Sequence, residues 1–160
     1  MTTLQEGMAA PAFTLPADNG KEISLSSCRG KTVILYFYPK DDTPGCTKEA
    51  CEFRDSLKSL GKLNAIIIGA SKDDIKSHEK FRDKYELNFP LVSDIDGKLC
   101  EAYGTWTEKS MYGKKYMGID RATFLIDGQG IIRRIWRNVK VPGHADEVRE
   151  AIESLGKAAA

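Results

Sequence analysis

Two cysteines, Cys46 and Cys51, stand five residues apart in Tyr38-Pro39-Lys40-Asp41-Asp42-Thr43-Pro44-Gly45-Cys46-Thr47-Lys48-Glu49-Ala50-Cys51. A close pair of cysteines points to thiol redox chemistry or to a metal. A structural zinc site wants four ligands in tight pairs, Cys-x2-4-Cys or His-x3-5-His. Here Cys28 and Cys100 are isolated, and the only two histidines, His78 and His144, are far apart in the chain. The spacing therefore disfavours zinc and favours redox work. It also differs from the Cys-x2-Cys of thioredoxin-type disulfide reductases.

The local context makes Cys46 a nucleophile. Thr43 is a good helix N-cap, and Pro44 suits the first helical position. That registration makes Cys46 the third helical residue, where a capping box carries Glu. Free amides and the helix dipole there favour an anion. Cysteines so placed fall from a pKa of about 8.5 into the range of roughly 3.5–7.5. The substrate stays open, and the plainer alternative is a cysteine packed as a small hydrophobe at a helix start. Cys51 follows on the same helix, and five residues rise about 7.5 Å and rotate about 140°. The two Cα atoms are then roughly 8.6 Å apart, beyond the ~7 Å limit for a disulfide. If the two thiols bond at all, the first turns of the helix must unwind. Ala50, Phe53 and Leu57 form an apolar stripe nearby, so Cys51 alone also reads as a core residue.

The elements around this string read as alternating strands and helices. Two short strands within 13–26 flank Asp18-Asn19-Gly20, a hairpin turn. The continuous apolar run over 31–38 suits a central strand buried on both faces. A helix over 44–60 ends at Gly61, and a second buried strand covers 63–70. A helix with an acidic first turn follows over 72–85, then a short strand over 89–92 and a short helix over 97–103. Residues 104–117 read as a long loop. Strands over 123–127 and 131–136 flank Gly128-Gln129-Gly130 as a hairpin, and a last helix covers 145–155. The pattern predicts an α/β domain with a central mixed sheet flanked by helices and an N-terminal β-hairpin. Cys46 falls after the carboxyl end of its central strand, where open α/β sheets build sites.

Pro39-x3-Thr43-x2-Cys46 is the active-site pattern of the peroxiredoxins. The longer string from Phe37 to Thr47, with Cys51, resembles their bacterioferritin comigratory protein (peroxiredoxin Q) branch. The likeness continues through Leu91-Val92-Ser93-Asp94, Asp96-Gly97, Ala102-Tyr103-Gly104, the stretch from Gly118 to Asp127, and Gly143-His144-Ala145. It spans roughly residues 7–155. The resemblance implies a thioredoxin-like fold and a thiol-dependent peroxidase acting on hydrogen peroxide or organic hydroperoxides. By motif position it makes Cys46 the peroxidatic cysteine and Cys51 the resolving one, joined in an intramolecular disulfide. Thr43 would orient the peroxide, Pro39 would shield the cysteine, and Arg121 would be the active-site arginine. The family's other place for a resolving cysteine is the next helix, which has none here. The implied reductant is thioredoxin, or glutaredoxin. No metal or other cofactor is expected, because a thiolate does this two-electron chemistry itself. An intramolecular resolver makes a monomer sufficient.

The remaining residues are weighed without the family. Cys100 reads as structural and Cys28 as a bystander. His78 reads as solvated on a charged helix, and His144 as a cap or surface residue. Trp106, Met111, Tyr112 and Tyr116 wall a site or simply pack. Lys114-Lys115 and Arg133-Arg134 read as solvated surface, and the alanine-rich end as frayed. At 160 residues the length suits one domain. With 24 Lys and Arg against 23 Asp and Glu, the net charge of +1 gives no footprint for nucleic acid. No run of about 18 apolar residues spans a membrane, and the first residues do not form a signal peptide. The expected address is the cytoplasm. A redox sensor, signalling by the same helix unwinding, is the rival class. Pro39, Thr43 and Arg121 favour the enzyme, since a sensor has no need of peroxide-handling positions.

Overall fold

The computed structural model describes residues 4–159, without the side chains of 57–59, 61 and 156–159. In chain order the elements are β1 (Thr14–Pro16), β2 (Glu22–Ser24), a 3-10 turn (Ser26–Cys28), β3 (Thr32–Phe37), α1 (Pro44–Lys62), β4 (Ala65–Ser71), α2 (Ile75–Tyr85) and β5 (Leu91–Ser93). There follow α3 (Lys98–Ala102), β6 (Trp106–Met111), β7 (Lys114–Ile119), β8 (Ala122–Ile126), β9 (Ile132–Trp136) and α4 (His144–Ala159).

The central sheet runs β5-β4-β3-β8-β9. β3 pairs parallel with β4, from Thr32 opposite Ala65 to Phe37 opposite Ala70, and antiparallel with β8. The sheet is therefore mixed, and its middle strand is the predicted apolar run. Successive side chains of a strand face opposite ways. Ile34, Tyr36 and Tyr38 enter one core with Ala50, Phe53, Phe81 and Val148 from α1, α2 and α4. Val33, Leu35 and Phe37 enter the other, with Leu99, Cys100 and Tyr103 from the α3 region. A strand buried on both faces has no polar alternation to show, which is why β3 reads as an unbroken run. Leu57, expected in the stripe of α1, lies outside the described side chains.

Five details depart from the sequence reading. The expected loop over 104–117 is a hairpin of β6 and β7. Its turn residues Tyr112 and Gly113 both have positive φ, 53° and 79°, as a two-residue turn of the primed type requires. Residues 114–117 of β7 are exposed, so no inward-outward alternation marks the strand. The Tyr-Gly pair was the one available signal. α1 runs through Gly61 to Lys62, and Asn64 makes the left-handed exit instead, at φ 56°. Its side chain donates to Gly30 O at 3.0 Å. α2 starts at Ile75, not at 72, because Asp74 caps it by accepting from Ser77 N at 2.8 Å. β5 starts only after Pro90, which has no N–H for a ladder. α4 continues as helix through the alanine-rich end to Ala159.

Candidate active site

β3 ends at Phe37, and Tyr38 N still donates to Ala70 O at 3.1 Å. Pro39 then stops the ladder. Thr43 occupies the N-cap position of α1: its carbonyl accepts from Thr47 N at 2.8 Å. Its hydroxyl departs from the expected capping bond and donates back to Lys40 O at 2.9 Å. The hydroxyl thus braces the loop, and its lone pairs are left as acceptors. Cys46 is the third helical residue, as predicted, and is 1% exposed.

Arg121 reaches Cys46 from the short connection between β7 and β8. Its Nη2 donates to Cys46 Sγ at 3.3 Å, and its Nη1 to Glu49 Oε1 at 2.6 Å. Cys46 and Glu49 lie three residues apart and so share one helix face. One planar guanidinium can serve both because its fork presents several donors at once. Gly45 makes the approach possible: a Cβ there would stand 3.2 Å from Arg121 Nη2. Burial works against the charge on Arg121, but Glu49 and Cys46 outweigh it and hold its pKa above the ordinary value.

Glu49 is the site residue that sequence reasoning missed. It is 2% exposed, and burial raises its carboxyl from 4.5 to about 7 against the pull of Arg121. Its Oε2 and the Tyr36 hydroxyl are buried without hydrogen-bond partners among the described residues. Burial, with Glu49 and Cys46 nearby, pushes the Tyr36 phenol well up, so it stays neutral. A stability test follows from Glu49. Between 4.5 and about 7 the folded form holds a proton that the unfolded chain has lost. The contribution of Glu49 to stability therefore falls as pH rises through that window, by up to about 3 kcal/mol, and is level above it. Glu49→Gln is expected to remove that slope. Urea titrations of the reduced proteins at about pH 5 and about pH 8 check this; parallel pH responses of the two proteins would refute it.

Residues 7–135 match the family model described as AhpC/TSA family. A relative from Coxiella burnetii named putative peroxiredoxin bcp is 54% identical over 146 residues, 91% of this chain and 97% of the relative. The chain belongs to the peroxiredoxins of the AhpC/TSA family. Peroxiredoxin Bcp of Bacillus subtilis is 46% identical over 155 residues, 97% of this chain and 99% of the relative. Among solved structures, a single-residue variant of PrxQ from Xylella fastidiosa superposes with TM-score 0.92 at 38% identity, covering 98% of this chain and 99% of the other. A bacterioferritin comigratory protein from Xanthomonas campestris superposes with TM-score 0.85 at 44% identity, covering 89% and 90%. The work on that protein concerns its alkyl peroxide reduction activity. This peroxiredoxin therefore has the thioredoxin-like fold and is a thiol peroxidase, an oxidoreductase that takes a peroxide and a thiol reductant.

The other cysteines of this peroxiredoxin are free thiols. Cys51 is half-buried on the unbroken α1, so its Cα stands roughly 8.6 Å from that of Cys46 by helix geometry. Cys100 is fully buried, and burial, with Asp94 beside it, pushes its thiol up to about 12. It is a core residue, as expected. Cys28 is 8% exposed, and its thiol faces Ser24 O at 3.6 Å.

Pro39 is exposed and lines an open cleft of about 400 Å³ with Lys72, Trp106, Tyr116, Met117 and Ile119. Lys72 Nζ sits 4.0 Å above the Trp106 ring. Trp106 packs, whereas Met111, Tyr112 and Tyr116 are exposed. Both histidine expectations are corrected. His144 opens α4 but is 2% exposed, with Nε2 2.7 Å from Thr123 Oγ1. Burial lowers its pKa and keeps it neutral. His78 is fully buried, because it shares a face of α2 with Phe81, three residues on. Asp41, Asp73 and His78 bring possible metal-ligand atoms within 4.8 Å of one another. Hydrogen-bond donors already occupy both carboxylates, so the cluster reads as a hydrogen-bonded network. Among the described residues no helix is long and apolar enough to cross a membrane.

Proposed function

We propose that Cys46 is the peroxidatic cysteine, Cys51 the resolving cysteine, and thioredoxin (or glutaredoxin) the reductant. The observation that carries this reading is Arg121 Nη2 at 3.3 Å from a sulfur on the third residue of α1. The Cys46 thiolate attacks one peroxide oxygen. The O–O bond breaks, and the leaving oxygen takes a proton to depart as water or an alcohol. Negative charge builds on that oxygen, and the Arg121 donors stabilise it. The Thr43 hydroxyl accepts from the peroxide O–H and orients it, while Pro39 limits access of water.

Cys46 is left as a sulfenic acid. The Cys51 thiol then forms the S–S bond, the S–OH bond breaks, and water leaves. Since the separation along an intact helix exceeds disulfide reach, the start of α1 unwinds first. A dithiol reductant returns both sulfurs to thiols by exchange. We propose one domain over residues 1–160, acting as a monomer, since the resolver sits on the same chain. We place it in the cytoplasm, where thiol reductants keep cysteines reduced. Hydrogen peroxide and organic hydroperoxides both suit a site that reads only the O–O group.

Peptide mapping by mass spectrometry tests the pairing after one equivalent of peroxide, with free thiols alkylated. The expected product is a Cys46–Cys51 crosslink with Cys28 and Cys100 alkylated. A Cys46 sulfenic acid beside an alkylated Cys51 would refute the resolver. Cys51→Ser is expected to consume about one equivalent of peroxide at the normal rate and then lose thioredoxin-driven turnover at least about tenfold.

A further inference from the structure

Of residues 39–45, which carry Thr43 and lead into α1, only Asp41 is buried. Pro39, Lys40, Asp42, Pro44 and Gly45 are exposed, so the segment has no apolar anchor of its own. Its place in the molecule depends on a few polar ties, most of them at Asp41. Asp41 Oδ1 accepts from the Tyr38 hydroxyl at 2.5 Å. Oδ2 accepts from Ser77 Oγ at 2.8 Å and faces His78 Nδ1 at 2.7 Å. On the other side of the ring, His78 Nε2 lies 3.0 Å from Val92 O.

A carbonyl oxygen only accepts, so Nε2 carries hydrogen. The 2.7 Å approach of Nδ1 to Asp41 Oδ2 then shares one proton between ring and carboxyl. Asp41 and His78 are thus a hydrogen-bonded pair, with both side chains at 3% exposure or less. Burial, the largest single influence, works against the charge on His78, but the bond to and charge of Asp41, with Val92 O and Asp73, together raise its pKa. Two further ties hold the same loop. Asp41 N donates to Asp73 Oδ2 at 2.9 Å, and Asp42 accepts from Lys84 Nζ at 2.8 Å and Tyr85 OH at 2.7 Å. Every one of these side-chain ties runs to Tyr38 just after β3, to α2 or to the loop before α2, and none to α1.

We infer that the buried, hydrogen-bonded Asp41–His78 pair is a latch on the active-site loop. Closed, it holds Thr43 and the first turn of α1 where they meet peroxide; opened, it lets that turn unwind toward Cys51. The second half rests on the proposed Cys46–Cys51 pairing. Both are positioning residues, since neither touches sulfur or peroxide. A buried hydrogen-bonded pair suits a latch because it is directional: it makes the loop's position depend on one geometry, whereas apolar packing tolerates sliding.

The test compares wild type with Asp41→Ala, Asp41→Asn and Ser77→Ala, all reduced at the start. Hydrogen exchange read by mass spectrometry follows peptides over 42–50 and over β4. Rapid quenching with a sulfenic-acid trap measures the peroxide step, and the Cys46–Cys51 peptide measures the peroxide-independent step. In Asp41→Ala, exchange over 42–50 is expected to rise at least about tenfold with β4 unchanged. The peroxide step slows and the disulfide step speeds up, each several-fold. Asp41→Asn keeps an acceptor for Tyr38 and offers His78 Nδ1 a donor, so it restores part of both rates. Opposite signs on the two steps are what general destabilisation does not produce. Unchanged exchange over 42–50, or parallel slowing of both steps, overturns the latch. If Asp41→Ala does not fold, Asp41→Asn and Ser77→Ala give the same readouts at smaller amplitude. Absence of any Cys46–Cys51 bond in wild type refutes the resolver, and the exchange result then decides the latch by itself.

Discussion

Cys46→Ser is expected to abolish peroxide turnover, by at least about 10⁴-fold, in a chain that still folds. A serine hydroxyl is not ionised near neutral pH, so neither the helix start nor Arg121 can make it a comparable nucleophile for an O–O bond. The other three thiols do not replace it. Cys28 and Cys100 are buried away from Arg121, and Cys51 lies more than one turn further along α1. The fold survives because serine is close to cysteine in size. Its oxygen also accepts from Arg121 Nη2, which now donates to the sulfur. Lost apolar contact with the neighbouring Tyr36, Ala50 and Phe53 core costs about 1 kcal/mol. That is a Tm change of roughly 2–4 °C for a chain of this length. Peroxide consumption with a dithiol reductant, beside a thermal melt, checks both parts. Turnover above a tenth of wild type would mean that another group is the nucleophile.

Arg121→Met is expected to lower the rate of sulfenic acid formation by about 10²–10³-fold, the usual effect of losing a donor aimed at developing charge. Arg121→Lys falls between, since an ammonium is a point charge and cannot reproduce the fork that holds Cys46 and Glu49 together. The same substitution by Met strands Glu49. A buried charge left without its partner costs about 3–5 kcal/mol. The Glu49 carboxyl already sits at about 7, so it escapes by taking a proton. The expected loss is therefore smaller, about 1–3 kcal/mol. Adding Glu49→Gln to Arg121→Met is expected to recover most of that stability and none of the rate. Stopped-flow kinetics and urea titration separate the two. Recovery of the rate in the double variant would mean that Arg121 acts only by neutralising Glu49.

Much of the fold was legible in particular residues. The run from Thr32 to Phe37 announces a strand covered on both sides, and Asp18-Asn19-Gly20 and Gly128-Gln129-Gly130 announce their hairpins. Thr43 and Pro44 announce the start of α1. These signals are local: each depends on backbone preference or on side chains a few residues apart. The β6-β7 hairpin escaped because β7 is exposed over residues 114–117 and carries no alternation. Glu49 and His78 escaped for a related reason. Polar residues on a helix look solvated unless something outside the helix covers them.

From sequence alone came a cysteine at a helix start, where an anion is favoured, and a second thiol that an intact helix keeps out of reach. Both follow from positions within one element, where geometry repeats every 3.6 residues. Tertiary structure alone decided what faces them. Arg121 arrives from 75 residues away, because the antiparallel pairing of β3 with β8 brings the residue before β8 to the carboxyl end of β3. His78 meets Asp41 across 37 residues, because α2 leaves β4, the parallel neighbour of β3, at that same end. Such meetings depend on strand order and direction, which no short stretch of sequence encodes.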